Sequence, residues 1–99
     1  MKTLIENLNK TFESRVRLAI MSTLMVNDSI DFNSLKQMLD ITDGNLASHI
    51  NVLEKNGYIK VKKKFIGKKP FTSYTATEKG RKKFSEHLDA LEKIIKNVQ

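Results

Sequence analysis

Between Thr42 and Ala76 the apolar residues change their repeat. In TDGNLASHINVLEKNGYI, Leu46, Ile50 and Leu53 recur at i, i+4 and i+7, the spacing of one helix face. Past Asn56-Gly57 the repeat falls to about 2. Ile59, Val61 and Phe65 then point one way and Lys60, Lys62 and Lys64 the other, with Lys63 on the apolar side near the open end. PFTSYTA returns as a second β-rich run, with Tyr74 and Ala76 on its inner face and Pro70 at the first position of an edge strand. Asn-Gly is also a hairpin-turn pair. The helical period before it favours a helix end instead, with Gly57 in the left-handed position after the last turn. A helix running straight into a two-stranded hairpin admits few architectures.

The flanking segments narrow them further. Leu4, Leu8 and Phe12 are spaced for a short amphipathic helix over the first dozen residues. Ser14 is placed to cap RVRLAIMSTLMV, where Val16, Ile20, Thr23 and Leu24 form the stripe and Asn27-Asp28 ends the pattern. SIDF reads as a brief strand or extended link, and Asn33 as the N-cap of SLKQMLD, with Leu35, Met38 and Leu39 as its apolar stripe. Thr42 suits an N-cap for the helix after it, and Asp43 puts negative charge at that helix's positive end. Thr77 starts a last helix in which Phe84, Leu88, Leu91, Ile95 and Val98 step by 4, 3, 4 and 3, a heptad seam with Ile94 beside it. The expected fold is mainly α with a small β-hairpin, in the order α-β-α-α-β-β-α. That is the order of a winged helix-turn-helix with a C-terminal dimerisation helix.

Length and charge bound the function. At 99 residues the chain is expected to be a single domain, with 9–76 as the winged-helix core and 77–98 as the C-terminal helix. No run approaches the roughly 18 apolar residues of a membrane span, and the polar start MKTLIENLNK is unlike a signal peptide. A cytoplasmic protein without membrane association is the expectation. Residues 1–50 hold five Lys/Arg against six Asp/Glu, whereas residues 51–99 hold thirteen against five. Between Glu54 and Glu78 there are seven lysines and no acid. A field this one-sided attracts polyanions, nucleic acid above all, although a solubilising face has the same composition.

With Leu46, Ile50 and Leu53 turned inward, the outer side of helix 42–56 carries Gly44, Asn45, Ser48, Asn51, Val52 and Lys55, with His49 on the flank. Small and amide side chains of this kind reach base edges, and a helix N-terminus binds phosphate; the alternative is plain solvated surface. The stretch TDGNLASHINVLEKNGYI, joined to KKPFTSYTATEKGR, closely resembles winged-helix transcriptional regulators of the MarR/ArsR type, over about residues 9 to 95. The resemblance implies a bacterial or archaeal regulator that binds pseudo-palindromic operator DNA as a homodimer. It assigns Thr42, Asp43, Gly44, Asn45, Ser48 and His49 to the recognition helix, and Lys63, Lys64, Lys68 and Lys69 to the wing. Lys55, on the outer face, joins the DNA-binding set. The dimer interface is expected at Phe84, Leu88, Leu91, Ile95 and Val98, with Leu4 and Leu8 joining. Packing of the same seam inside one chain, or on a membrane surface, is the competing reading.

Other chemistry finds little support. No Cys is present, which rules out thiolate metal sites, and neither His49 nor His87 has a partner at metal-ligand spacing. His87 reads as a solvated helix histidine, and neither metal nor cofactor is expected. No nucleophile has a base at motif spacing and no glycine-rich phosphate loop follows a strand, so an enzyme is not expected. A small-molecule effector stays open. The competing function is a winged-helix module that binds a protein partner or coats DNA without specificity.

Overall fold

The computed structural model describes residues 1–97, so Val98 of the expected seam lies outside the described residues. Helix α1 spans Lys2–Glu6 and stops at Asn7. The continuous helix expected over the first dozen residues does not form, because Asn9 accepts a hydrogen bond from Thr11 N with its side chain and starts a separate 3-10 turn, Lys10–Phe12. That turn drives Phe12 into the core. Its ring stacks on Tyr58 at 5.3 Å and meets Phe84 edge-on at 5.1 Å. Ser14 caps α2 (Arg15–Met25) by accepting from Arg17 N, and Ile20, Met21 and Leu24 are buried.

Strand β1 is only Ile30–Asp31, and α3 follows at once over Phe32–Leu39. Its cap is Asp31, not Asn33. The Asp31 backbone is extended, so its carboxylate turns back to accept from Ser34 N at 3.1 Å and Ser34 Oγ at 2.6 Å, whereas Asn33 is already helical. The Ser34 hydroxyl holds that carboxyl below its ordinary pKa. Leu35 is buried as expected, but Met38 is exposed. Asp40, in the left-handed conformation at φ 51°, ends α3 and allows a tight turn into α4 (Asp43–Lys55). Thr42 accepts from Asn45 N as its cap, and Leu46, Ile50 and Leu53 pack inward. Gly57, at φ 76°, takes the left-handed position expected of it.

Strands β2 (Ile59–Ile66) and β3 (Lys69–Ala76) pair antiparallel from Ile59↔Ala76 to Ile66↔Lys69 around a Gly67-Lys68 turn. The sheet has three strands in the order β1-β3-β2, so β3 is its middle strand and not an edge. Pro70 is tolerated because β1 pairs with β3 only at Tyr74 and Ser73, which leaves the Pro70 end with one neighbour. Ile59, Tyr74 and Ala76 are buried as expected, but Phe65 is 73% exposed, because the hairpin overhangs the body that would cover it.

Helix α5 covers Glu78–Asn97. Thr77 organises the junction before it: its N–H donates to Tyr58 O, its hydroxyl donates to Gly57 O, and the same oxygen accepts from Gly80 N. The Arg81 guanidinium donates to Leu24 O and Met25 O at the end of α2. Overhanging wing and helix make the chain long, 55 × 25 × 21 Å, with a radius of gyration of 15.1 Å. A compact domain of this size would have about 13 Å.

Candidate nucleic-acid interface

On α4, Thr42, Asp43, Gly44, Asn45 and Ser48 are all exposed, as is Lys55 at its far end. Gly44, Ser48 and Lys55 lie on the side opposite the buried Leu46, Ile50 and Leu53, with Asn45 on its flank, whereas Thr42 and Asp43 are exposed at the start of the helix. A Cβ built on Gly44 meets nothing within 4 Å, so the protein's own packing does not demand glycine there. Asp43 is paired with Lys36 of α3 at 2.8 Å. Both side chains are exposed, so the pair adds little stability, but it places a cation beside the acid at the start of α4. Nothing local in the sequence marks Lys36, whose partner lies across the turn.

His49 sits lower on the same helix and is half-buried. Its Nδ1 lies 3.0 Å from Nη1 of Arg17, whose Nε donates to Thr11 O at 2.6 Å. Burial, and secondarily the Arg17 charge, hold the His49 pKa below its ordinary value. Arg17 sits off the apolar stripe of α2, and its role is visible only once α2 and α4 are packed.

On the hairpin, Lys63, Lys64, Lys68 and Lys69 are exposed, and so are Lys60 and Lys62, which extend the basic surface toward the body. Lys64 Nζ stands 5.4 Å from the Phe71 ring centroid, a weak cation–π contact. Phe65 and Ile66 sit exposed among these charges at the tip.

The expected seam divides. Phe84 is 2% exposed and packs against Phe12 of its own chain, so it is a core residue and not available to a second chain. His87 is 4% exposed, which corrects the solvated reading: its Nδ1 accepts from Asn9 N at 3.0 Å, and burial lowers its pKa, opposed by the Glu13 charge. Leu88, Leu91 and Ile95 remain open on the adjoining stripe of α5. Leu4 is half-buried on α1, which packs on α5, with Ile5 exposed beside it, and Leu8 is half-buried just past α1. Among the described residues no group of three or more His, Cys, Asp or Glu could hold a metal ion, and no helix is long and apolar enough to cross a membrane.

A helix-turn-helix with an exposed outer face, followed by a basic two-stranded projection, defines a winged helix-turn-helix of the transcription-regulator class. The chain belongs to the winged helix DNA-binding domain family, whose profile matches residues 16–95. It is 36% identical over 90 residues to an uncharacterized protein of Methanocaldococcus jannaschii, an alignment covering 91% of this chain and 98% of that one. Its fold is similar to that of a transcriptional regulator homologue from Pyrococcus horikoshii, with a TM-score of 0.89 and 34% identity over 100% and 99% of the two chains. A protein of Enterococcus faecalis assigned to the MarR family of transcriptional regulators superposes with a TM-score of 0.72 at 25% identity, covering 95% of this chain and 81% of its own. The family is one of DNA-binding regulators and not of enzymes.

Proposed function

We propose that the chain is a sequence-specific regulator that binds double-stranded DNA as a homodimer, with α4 in the major groove and the β2–β3 wing on the flanking backbone. In this reading residues 9–76 form the winged-helix core that presents the DNA contacts, and the helix from residue 77 pairs the chains. The observation that carries it is the outward face of α4, where Asn45 and Ser48 stand exposed beside a wing of exposed lysines. Asn pairs bidentately with adenine and Ser donates or accepts, whereas lysines on phosphate give affinity without sequence. A binder that needed only charge would have no use for those amide and hydroxyl groups. Leu88, Leu91 and Ile95, exposed in one chain, support pairing through α5. A two-fold pair would present its recognition helices about 34 Å apart, one turn of DNA.

The test is selection of sites from random duplexes at about 150 mM salt, where non-specific binding is weakened. An enriched inverted repeat with half-site centres about 10 base pairs apart is expected. Binding without enrichment would replace the proposal with a non-specific module. With an enriched site in hand, Asn45→Ala should lose about 1–3 kcal/mol of discrimination at one base pair per half-site; unchanged preference would remove Asn45 from the reading face.

A further inference from the structure

The contact between Arg17 and His49 has a consequence for what α4 can recognise. Every N–H of a guanidinium donates and none accepts. Arg17 Nη1 lies 3.0 Å from His49 Nδ1, so that ring nitrogen is the acceptor and carries no proton. A neutral imidazole with a bare Nδ1 carries its hydrogen on Nε2. The imidazolium would set two N–H groups and two positive charges against each other. Arg17 is itself held in place, since its Nε donates to Thr11 O at 2.6 Å.

Nε2, on the opposite side of the ring, has no partner among the described residues and is not a buried atom. His49 follows Asn45 by four residues and Ser48 by one, so it borders the exposed face of α4.

We infer that Arg17 is a positioning residue that locks His49 into the Nε2–H tautomer, and that this N–H donates to an acceptor of the bound duplex. The inference rests on the proposed placement of α4 in the major groove. The acceptor is either a base-edge acceptor in the major groove, N7 or O6 of guanine, N7 of adenine or O4 of thymine, or a phosphate oxygen. The exocyclic amino groups of cytosine and adenine are excluded, since they too are donors.

Long-range proton–nitrogen NMR of the labelled full chain reads the tautomer directly. The wild-type spectrum should show His49 protonated at Nε2 and bare at Nδ1, and Arg17→Met should return a tautomer mixture. A mixture or an Nδ1–H form in the wild type overturns the lock even if Arg17→Met fails to fold. In binding, His49→Ala should weaken the selected site roughly 3- to 10-fold, the range of one hydrogen bond. His49→Gln, whose amide nitrogen reaches the Nε2 position, should recover most of that loss, and His49→Asn, which reaches only the Nδ1 side, should not. A base contact shows as lost preference at one base pair, reproduced in wild type by a 7-deazapurine there when N7 is the acceptor and not when O6 or O4 is; a phosphate contact shows as equal loss on every sequence. If His49→Ala binds its site as tightly as wild type, the donor role is overturned alone. If wild type binds no duplex, the proposed function falls with it.

Discussion

Gly80 lies in the first turn of α5, where a helix would ordinarily gain about 1 kcal/mol from alanine in place of glycine. The structure sets a larger cost against that gain. A Cβ at Gly80 would lie 2.1 Å from Tyr58 O, 2.8 Å from its carbonyl carbon and 2.9 Å from its Cα, where ordinary contact begins at 3.4 Å. All three atoms are backbone, so no side chain can swing aside. Helix α5 would have to move by about 1 Å, an overpacking cost of about 1–3 kcal/mol. The move would also strain the bonds from Thr77 N to Tyr58 O at 3.0 Å and from Thr77 Oγ1 to Gly57 O at 2.6 Å. Losing these adds about 1 kcal/mol each. The net expectation for Gly80→Ala is a destabilisation of about 2–4 kcal/mol, a fall in Tm of about 10–25 °C for a domain this size. Thermal melts followed by far-UV circular dichroism at matched chain concentration measure it, since the proposed pairing would make Tm depend on concentration. An unchanged or raised Tm would refute the reasoning, because propensity alone would then have decided the sign.

Leu91→Asp should leave one chain folded, because Leu91 is 37% exposed within it, and should halve the sedimenting mass; a persisting dimer would place the pairing elsewhere. Lys68→Ala with Lys69→Ala should weaken binding to every duplex alike and reduce the slope of log K against log salt by roughly 1.8, about 0.9 for each phosphate contact. A loss confined to the selected site would contradict the wing assignment. Burial holds His87 below its ordinary pKa, so in this region the unfolded chain takes up a proton before the folded one does. Stability is therefore full above a pH of about 6.5 and falls as pH drops through that value, so melts at pH about 5.5 should give a lower Tm than at about 7.5. His49 shifts in the same direction, so His87→Phe should shrink the fall without abolishing it. An undiminished fall in that variant would acquit His87.

Local features carried much of the fold into the sequence. The caps at Ser14 and Thr42 and the left-handed Gly57 each depend on residues within a turn of one another, and each is found where its spacing put it. The misplacements all involve partners distant in the chain or a competitor close by. Asp31 displaced Asn33 because two good capping residues stood two positions apart and backbone conformation chose between them. His87 takes a hydrogen bond from Asn9 N and packs beside the Phe12 ring, both at the other end of the chain, and no periodicity in α5 records those contacts. The heptad spacing merged two adjoining stripes: Gly80, Phe84, His87 and Ala90 face the chain's own body, and Leu88, Leu91 and Ile95 face outward. Alternation placed Phe65 inside correctly for a covered sheet, but coverage depends on how far the body extends beneath the hairpin. For the candidate site, residue type and exposure were legible on α4 and the wing, whereas the Arg17–His49 contact was not, since its members lie 32 residues apart.

The wing behaves mechanically as a beam clamped at one end. Strand β1 grips β3 only through Ile30↔Tyr74 and Asp31↔Ser73, and the buried residues of the hairpin are Ile59, Ser73, Tyr74 and Ala76, all near that grip. Beyond it four residue pairs run on, from Lys63↔Thr72 to Ile66↔Lys69, an arm of about 13 Å at strand rise. Bending this arm disturbs its own ladder of hydrogen bonds but no core side chain, so the tip can shift while the root stays still. Its amides should exchange with solvent long before those of the root. Changes of charge or length at positions 63–72 should thus cost the fold little, and where the wing grips DNA as proposed, a gene could retune that grip without renegotiating the stability of the domain.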